Sequence, residues 1–407
     1  MSDSATPPDI LSSAFTDDPP AFFRTLRDDF PAFRHEASGY WFISRYDDVK
    51  RALNDLSTKH QEWQLEPVIG RSLGGMSGRE HSTHRSLVTP AFRGRELEER
   101  FTPVISACAT ELIDRFAATG SVDLVAEFTR WYPINVISTM LDLPKEDHAK
   151  FRDWYSSFMA FLSNLTNDPE VAAWGMRTQK EFPEYILPII RERRVNPGED
   201  LLSRLCTSEI DGVQLSDDDI RSFVGLLLIA GGETTDKVIA SLFKNLLENP
   251  QQLAAVQQDR SLVAQALVET LRYSPPVNIV LRTALEDTEF SGVVVPAESI
   301  VACVIGAANR DERRFSDPDR FDIFRSDADA EKGFNAAAAH LAFGSGRHFC
   351  VGSYLAKAEV EIGVNQLLDR MPDVALAPGA SVADVGLFTR APESIDLTFR
   401  PLATVNA

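Results

Sequence analysis

A cysteine, an arginine, two histidines and three glycines lie within the thirteen residues from His340 to Gly352. A helical hydrophobic pattern begins directly after Cys350, so we expect its thiol near the amino end of a helix, where the helix dipole favours a thiolate. Gly344 and Gly346 let the backbone turn tightly and approach a flat molecule closely. This combination predicts a loop that presents a thiolate to a metal ion, whereas a lone cysteine is usually a small buried side chain.

The run from Ala230 to Thr235 places two glycines, an acid and two hydroxyls within a long apolar helical pattern. An interior glycine costs about 1 kcal/mol relative to alanine in a helix, so two in a row require a reason. A local kink that leaves room for a small ligand is one reason, and a hydrogen bond from Thr234 to the Ala230 carbonyl would loosen the same turn. Glu233 and Thr234 would then lie beside the opening. The alternative is two abutting helices with Thr234 or Thr235 as a cap.

Other charged residues have spacings that place them on one face of a helix. Glu269 and Arg272 are three residues apart, so a helix would hold the carboxylate next to the guanidinium. His81 and Arg85 are four residues apart and would also share a face. Arg282 ends a largely apolar run. Taken singly, each of these charges is more often an ordinary solvated side chain.

These motifs together resemble the cytochrome P450 family over nearly the whole chain. The run Phe343-Gly344-x-Gly-x-His348-x-Cys350-x-Gly is similar to the haem-binding loop of that family without a gap. The resemblance implies that Cys350 is the axial ligand of the iron of haem b (iron protoporphyrin IX). It also implies that Phe343 and Gly344 belong to the cofactor-binding loop.

The same resemblance implies roles for four basic residues as partners of the haem propionates. They are His81, Arg85, Arg282 and His348. The sequence departs from the family before the first of them, because residues 77–80 read Ser-Gly-Arg-Glu where an acid and two prolines are usual. This departure concerns the shape of the loop before the helix.

The run from Ala230 to Thr235 is similar to the oxygen-activating helix of the family. The resemblance implies that Thr234 and the preceding Glu233 deliver the protons that the activation of O2 consumes. Many members of the family have Asp where this chain has Glu233.

Glu269 and Arg272 are similar to the buried Glu–Arg pair of the family, which is a structural clamp behind the haem. The segment 317–321 resembles the one that donates the third member, which would be Arg320. Loss of one partner would leave a buried charge uncompensated, at a cost of roughly 3–5 kcal/mol.

Hydrophobic periodicity predicts a mainly α chain with small β-sheets, an α+β class, and the resemblance implies the triangular helical prism of cytochromes P450. Helices are predicted at residues 21–30, 46–56, 80–91, 104–118, 133–141, 148–164, 172–194, 201–207, 216–248, 261–273 and 351–371. Strands are predicted at residues 32–42, 279–305 and in the last 30 residues. Long loops that could act as lids are predicted at residues 57–78 and 165–170.

Composition narrows the class of protein further. The 407 residues are 44% hydrophobic and carry a formal net charge of −19, which argues against binding to nucleic acid. No linker divides the sequence, so we expect a single domain over residues 1–407 with residues 1–20 as a loose arm. Unpaired cysteine spacing, a polar start and short apolar stretches predict a soluble, cytoplasmic protein without a membrane anchor.

By resemblance, the expected activity is that of a haem-thiolate monooxygenase, which inserts one oxygen atom of O2 into a lipophilic small molecule by hydroxylation or epoxidation. Electrons would come from a separate ferredoxin or flavodoxin with its reductase. One alternative is an atypical member that catalyses oxidative coupling, desaturation or peroxide-driven oxidation, although the Glu233–Thr234 pair argues against peroxide use. The other is a non-catalytic haem sensor or binding protein, although no sensor or output domain is visible in the sequence.

Overall fold

Helices form most of the secondary structure in the computed structural model of the chain, which describes residues 6–162 and 168–401. The mainly helical class with small sheets is therefore confirmed. The chain divides into two units, each held by its own internal contacts. We call Met1–His60, Lys237–Cys350 and Ala375–Leu397 the sheet unit, and Gln61–Asp236, Val351–Val374 and Thr398–Ala407 the helical unit.

The sheet unit contains a four-stranded sheet whose strands are rich in β-branched and aromatic residues, which favour a half-buried pleated surface. Its strand order is Ala32–Arg34, Trp41–Ile43, Ile300–Val304 and Ile279–Thr283. The central pair is parallel and the two outer pairs are antiparallel, with Ala302 opposite Phe42 on one side and Leu281 on the other. This register fixes the backbone of Arg282, which follows Leu281 on the last strand.

Short helices and hairpins complete the sheet unit. The helices are Ser13–Asp17, Pro19–Asp28, Tyr46–Asp55, Pro250–Gln258, Leu262–Tyr273, Ile305–Ala308 and the 3-10 turn Gly346–His348. The remaining strands are Thr288–Phe290, Val293–Val295, Ala375–Leu376, Asp384–Val385, Ala391–Pro392 and, as far as Leu397, Asp396–Thr398. One core cluster of this unit joins the sheet to the helix Tyr46–Asp55 through Ile43, Val49 and Val301, all buried.

The helical unit is made of helices and three short strands. Its helices are Gln61–Gln64, Glu66–Ile69, Gly78–Val88, Thr89–Phe92, Gly94–Glu96, Leu97–Phe101, Thr102–Ile113, Val125–Thr129, Tyr132–Met140, Lys145–Asp147, His148–Leu162, Pro169–Val195, Leu201–Thr207, Ser353–Arg370 and, as far as Asp236, Asp217–Glu248. Its strands are Ser121–Asp123, Glu209–Ile210 and Val213–Gln214. Edge-to-face contacts of Phe182 with Trp154 and Phe158, at 5.6 and 5.8 Å between ring centroids, join two of the longer helices.

The long helix Asp217–Glu248 begins with the cap that its sequence predicts. Ser216 Oγ accepts a hydrogen bond from the Asp219 amide at 3.1 Å, and the Ser216 amide donates to the Asp219 carboxylate at 2.8 Å. This reciprocal arrangement satisfies two backbone groups at the helix start. At 32 residues, the helix is about 48 Å long.

Three regions differ from the sequence prediction. The described part of the arm predicted as loose is packed against the fold, because Ile10 and Phe15 are buried and Ser12 caps a helix. The loop at residues 57–78 contains two short helices, Gln61–Gln64 and Glu66–Ile69, and the second ends at Gly70. The long helix ends before Asn249 as predicted, but the helix Pro250–Gln258 was not predicted; it begins at Pro250, since proline is favoured at the first position of a helix.

The second predicted loop, at residues 165–170, lies partly outside the described residues, and from Pro169 it is helical. In the part of the chain that the structure describes, no helix is both long and apolar enough to cross a membrane.

Candidate functional site

The cysteine loop of the sheet unit turns twice through left-handed glycines. Gly344 and Gly346 have φ angles of 73° and 71°, which side chains with a Cβ rarely adopt. The Cys350 amide donates to the Phe343 carbonyl at 2.9 Å and closes the loop. The 3-10 turn Gly346–His348 leaves His348 partly exposed. Cys350 thus lies three residues before the helix Ser353–Arg370, as its position in the sequence predicts.

The helix Tyr46–Asp55 supports this loop from one side. Asn54 Nδ2 donates to Ser345 Oγ at 3.1 Å. A Cβ on Gly346 would lie 2.5 Å from Asn54 Oδ1 and 3.3 Å from the Asn54 Cα. Gly346 is therefore required both by its backbone angle and by the closeness of the neighbouring helix.

Burial distinguishes Cys350 from the other cysteines. Cys108, Cys206 and Cys303 are buried, whereas Cys350 is only partly so. Burial raises the pKa of Cys108, and it raises the pKa of Cys206 to about 11 and that of Cys303 to about 12. These three are held as thiols at neutral pH, and of the four cysteines only Cys350 is exposed enough to meet a ligand from outside the chain.

Arg282, on the last strand of the sheet, is a buried cation. Arg282 is 6% exposed, and burial lowers the pKa of its guanidinium. Among the residues that the structure describes, no carboxylate lies within 4.0 Å of its guanidinium, and its Nε has no hydrogen-bond partner. Nη1 donates to the Leu281 carbonyl at 2.8 Å. An anionic group from outside the chain would fit this site, because a buried unpaired charge is costly.

His60 is a neighbour of Arg282 that the sequence reasoning missed. It is buried, and its amide donates to Thr283 Oγ1 at 3.1 Å. Burial and the positive charge of Arg282 lower the pKa of His60 to about 3. No local motif in the sequence marks this histidine.

The Glu–Arg pair is present in the core of the sheet unit. Glu269 and Arg272 are both fully buried and are joined by two hydrogen bonds of 2.8 Å. Arg272 also donates to the backbone carbonyls of Asn309 and Pro318, at 3.1 and 2.7 Å. The pair therefore ties its helix to two segments that lie far along the chain.

The prediction that Arg320 is the third member of this clamp is wrong. Its side chain is 70% exposed, and only its backbone carbonyl accepts a hydrogen bond from Arg272. Arg325 takes the place instead, with Nε 2.9 Å from the Glu269 carboxylate and a side chain only 5% exposed. The two arginines belong to one irregular segment. The sequence motif predicted this segment, but it did not predict which of its arginines points toward Glu269.

Glu233 and Thr234 lie on the long helix, in the helical unit. Glu233 is buried and Thr234 is partly buried, whereas Ala230, one turn before Thr234, is exposed. Thr234 Oγ1 donates to the Ala230 carbonyl at 2.7 Å, which is the bond that the sequence suggests.

The two glycines before Glu233 have a packing role. A Cβ on Gly231 would lie 2.8 Å from Ile137 Cδ1, and one on Gly232 would lie 2.7 Å from Ile134 Cδ1. Both glycines lie inside one uninterrupted helix, so the alternative of two abutting helices is wrong. The glycines therefore let the long helix approach Tyr132–Met140 closely, a reason that the sequence did not reveal.

His81 and Arg85 lie one turn apart on the helix Gly78–Val88, as their spacing predicts. His81 is buried and Arg85 is half-buried. The Arg85 carbonyl accepts a hydrogen bond from Thr89 Oγ1 at 2.6 Å. These two residues belong to the helical unit, whereas Arg282, His348 and Cys350 belong to the sheet unit.

Known proteins resemble this chain along most of its length. The family model described as Cytochrome P450 matches residues 22–372. Pulcherriminic acid synthase of Bacillus subtilis is 41% identical over 96% of this chain and 97% of its own. The 6-deoxyerythronolide B hydroxylase of Saccharopolyspora erythraea is 33% identical over 93% of this chain and 95% of its own. The structure of cytochrome P450 CYP109Q5 from Chondromyces apiculatus has a TM-score of 0.85 and 33% identity, and covers 98% of this chain and 99% of its own.

Proposed function

We propose that Cys350 binds the haem iron in this chain, which belongs to the cytochrome P450 family and is a haem-thiolate monooxygenase. The family, the fold and the reaction class predicted from the sequence are thereby confirmed. Haem is the cofactor of the family, and we propose that this chain binds it as haem b. Because the family model spans segments of both units, we also propose that they act as one haem-thiolate domain.

The loop around Cys350 is the observation that carries the ligand assignment. Left-handed Gly344 and Gly346 and the bond from the Cys350 amide to Phe343 hold a partly exposed thiol just before a helix. When bound, the haem supplies the activation of O2, and a thiolate ligand favours cleavage of the O–O bond. The chain itself supplies the ligand, the anchoring charges, the protons and the pocket.

Four basic residues are proposed to bind the haem propionates: His81, Arg85, Arg282 and His348. Arg282 gives the strongest support, since it is a buried guanidinium to which the described residues bring no carboxylate. A propionate would supply the missing negative charge. Charge-assisted hydrogen bonds of this kind contribute roughly 1.5–3 kcal/mol each.

Glu233 and Thr234 are proposed to hold and pass the protons that the reaction consumes. The Thr234 hydroxyl donates to the Ala230 carbonyl, so its oxygen remains able to accept a proton. Glu233 is a buried acid next to it in the sequence. A positioned acid and hydroxyl can both take part in proton transfer as general acids.

The substrate is proposed to be a lipophilic small molecule that is hydroxylated or epoxidised. The first compound to test is the precursor on which pulcherriminic acid synthase acts, because that relative is 41% identical. A shift of the Soret band on titration would report binding. Electrons are proposed to come from a ferredoxin or flavodoxin with its reductase, in the cytoplasm.

The ligand assignment is tested by the variant Cys350→Ser. We expect it to lose the red-shifted Soret band that a thiolate-ligated, reduced, CO-bound haem gives, because a serine oxygen does not replace the thiolate. The matched control is Cys108→Ser, which removes a buried thiol from the helical unit and should keep the band. Retention of the band by Cys350→Ser would refute the assignment.

A further inference from the structure

A cavity of about 200 Å³ lies in the helical unit. It is lined by residues of the helices Thr102–Ile113 and Tyr132–Met140 and by residues 145–149, which include the start of the helix His148–Leu162. Among the described residues that line it, none is proposed to hold haem or a proton. Because one water molecule occupies about 30 Å³ in the liquid, the cavity has room for a molecule of several non-hydrogen atoms.

His148 contributes a buried ring nitrogen that lacks a partner. The residue lines the cavity, is 9% exposed, and has a pKa that burial lowers, so the ring is neutral at neutral pH. Its Nδ1 lies 3.1 Å from Asn135 Oδ1, and since an amide oxygen only accepts, Nδ1 carries the proton. Nε2 therefore keeps a lone pair, and none of the described residues forms a hydrogen bond with it. Buried polar atoms are normally hydrogen-bonded, so a donor from outside the chain is expected here.

Four exposed charged side chains line the same cavity: Glu111, Arg115, Lys145 and Glu146. The Glu111 carboxylate lies 2.6 Å from Lys145 Nζ and 3.5 Å from Arg115 Nη2, so one negative charge serves two positive charges. Glu146 forms no ion pair with any residue that the structure describes. Charge of each sign is thus left over, which fits a ligand that carries both a carboxylate and an ammonium group.

Trp131 adds an apolar surface to the cavity. The residue is half-buried, and the guanidinium carbon of Arg152 lies 3.9 Å from the centroid of its ring, a contact that helps to fix the ring. An aliphatic group packed on the rest of this ring would be removed from water, which is favourable.

We propose that this cavity binds a small zwitterionic α-amino acid with an aliphatic side chain. The ammonium group donates to His148 Nε2, and the side chain packs on Trp131. The carboxylate meets the positive charge that Lys145 and Arg115 share with Glu111. The proposed function assigns no ligand to this cavity, and the inference does not depend on that function.

The first test is calorimetric titration of the holoenzyme with L-valine and three analogues that each lack one group. We expect saturable binding of L-valine. Isovalerate has no ammonium group and should bind about ten- to a hundredfold more weakly, because it cannot donate to the buried nitrogen. Isobutylamine has no carboxylate and should lose about two- to fivefold, since the cations it would leave are exposed. Glycine has no side chain and should bind about tenfold more weakly.

Two results of this titration would overturn the proposal. One is isovalerate binding as tightly as L-valine, which would show that the ammonium group meets no buried acceptor. The other is the lack of saturable binding of L-valine at millimolar concentrations, which would mean that ordered water alone fills the cavity.

Amide hydrogen exchange of the holoenzyme locates the bound amino acid. L-valine should slow exchange in Tyr132–Met140 and in residues 145–149, and the Soret band should stay unshifted because the amine does not bind the haem iron. Slowed exchange confined to other segments, or a Soret shift that follows the whole binding curve, would place the ligand elsewhere and overturn the proposal.

Variants of the lining residues test each contact. His148→Phe keeps a ring without its acceptor and should weaken L-valine binding about ten- to a hundredfold. Glu146→Gln and Lys145→Gln change exposed charges and should each weaken it about two- to fivefold without harm to the fold. The matched controls are Glu98→Gln and Lys180→Gln, which make the same changes at exposed positions outside the cavity and should bind as the wild type does. Wild-type affinity in all three cavity variants would show that L-valine does not bind there.

Discussion

Arg282 is a buried residue whose positive charge has no counter-charge in the described part of its own unit. The strand Ile279–Thr283 buries its guanidinium, and the described part of the sheet unit brings no carboxylate to it. An unpaired buried cation lowers the stability of a protein that holds nothing in that place. A ligand that brings an anion would remove this cost, and the haem propionates are the anions that the proposed function supplies.

Replacement of this residue should weaken haem binding without a matching loss of fold stability. Arg282→Ala should release haem to an acceptor protein about ten to a hundred times faster, because one charge-assisted contact contributes roughly 1.5–3 kcal/mol. The control is Arg34→Ala, which removes an exposed arginine of the same unit that pairs with Glu36. Equal rates of haem release from the wild type and Arg282→Ala would show that the propionates are bound elsewhere.

At the scale of elements, the Glu269 carboxylate joins a helix to an irregular segment. It accepts hydrogen bonds from Arg272 on its own helix and from the Asp322 amide, the latter at 2.8 Å, and it forms an ion pair with Arg325. Since Glu269 is fully buried, each lost partner leaves a charge that water cannot reach. The irregular segment is therefore held in place by its contacts with Glu269, and the loss of any one of them should lower the stability of the fold.

The two arginines of this segment provide a matched pair of variants. Arg325→Ala should lower the free energy of unfolding by about 2–3 kcal/mol, because the buried Glu269 carboxylate loses one of its two ion-pair partners while Arg272 remains. Arg320→Ala should change it by less than about 0.5 kcal/mol, because its side chain is exposed. Urea unfolding of the holoenzyme measures both, and a larger effect of Arg320→Ala would restore the original assignment of the clamp.

At the scale of the whole molecule, buried titratable groups set the dependence of stability on pH. The pKa of Glu359 is raised from 4.5 to about 8, so its contribution is complete below pH 4.5 and is lost as pH rises toward 8. The pKa of His340 is lowered by burial from 6.5 to about 4, so its contribution is complete above pH 6.5 and is lost as pH falls. Between pH 4.5 and pH 6.5 the two effects oppose each other and nearly cancel, so these two groups together favour a stability maximum at weakly acidic pH and a fall above pH 6.5.

The fall in the free energy of unfolding above pH 6.5 is predicted to depend on Glu359. Between pH 6.5 and pH 8 the free energy of unfolding should fall by about 2 kcal/mol in the wild type, as Glu359 is forced toward the charged form. Glu359→Gln should flatten this fall, and Glu36→Gln, an exposed acid, should leave it unchanged. Melting temperatures over this pH range measure the effect; a wild-type slope in Glu359→Gln would mean that another group titrates.

The sequence by itself determined the mainly helical class, the family, the position of the cysteine loop before a helix and the contact of Glu269 with Arg272. It also suggested the bond from Thr234 to the Ala230 carbonyl. Each of these depends on residues within a few positions of one another, where spacing and the backbone angles of glycine set the geometry. Local patterns of this kind can be read without knowledge of the rest of the chain.

Only the tertiary structure decided which arginine meets Glu269, why Gly231 and Gly232 are needed, and that the buried Glu359 has no cation beside it among the residues the structure describes. These outcomes depend on side chains that lie far along the chain, such as Ile134 against Gly232. Close packing leaves room for one arrangement of such neighbours, and the pattern of a single segment does not contain it. Burial and the choice of partner are therefore properties of the fold, and they also set the pKa of Glu359.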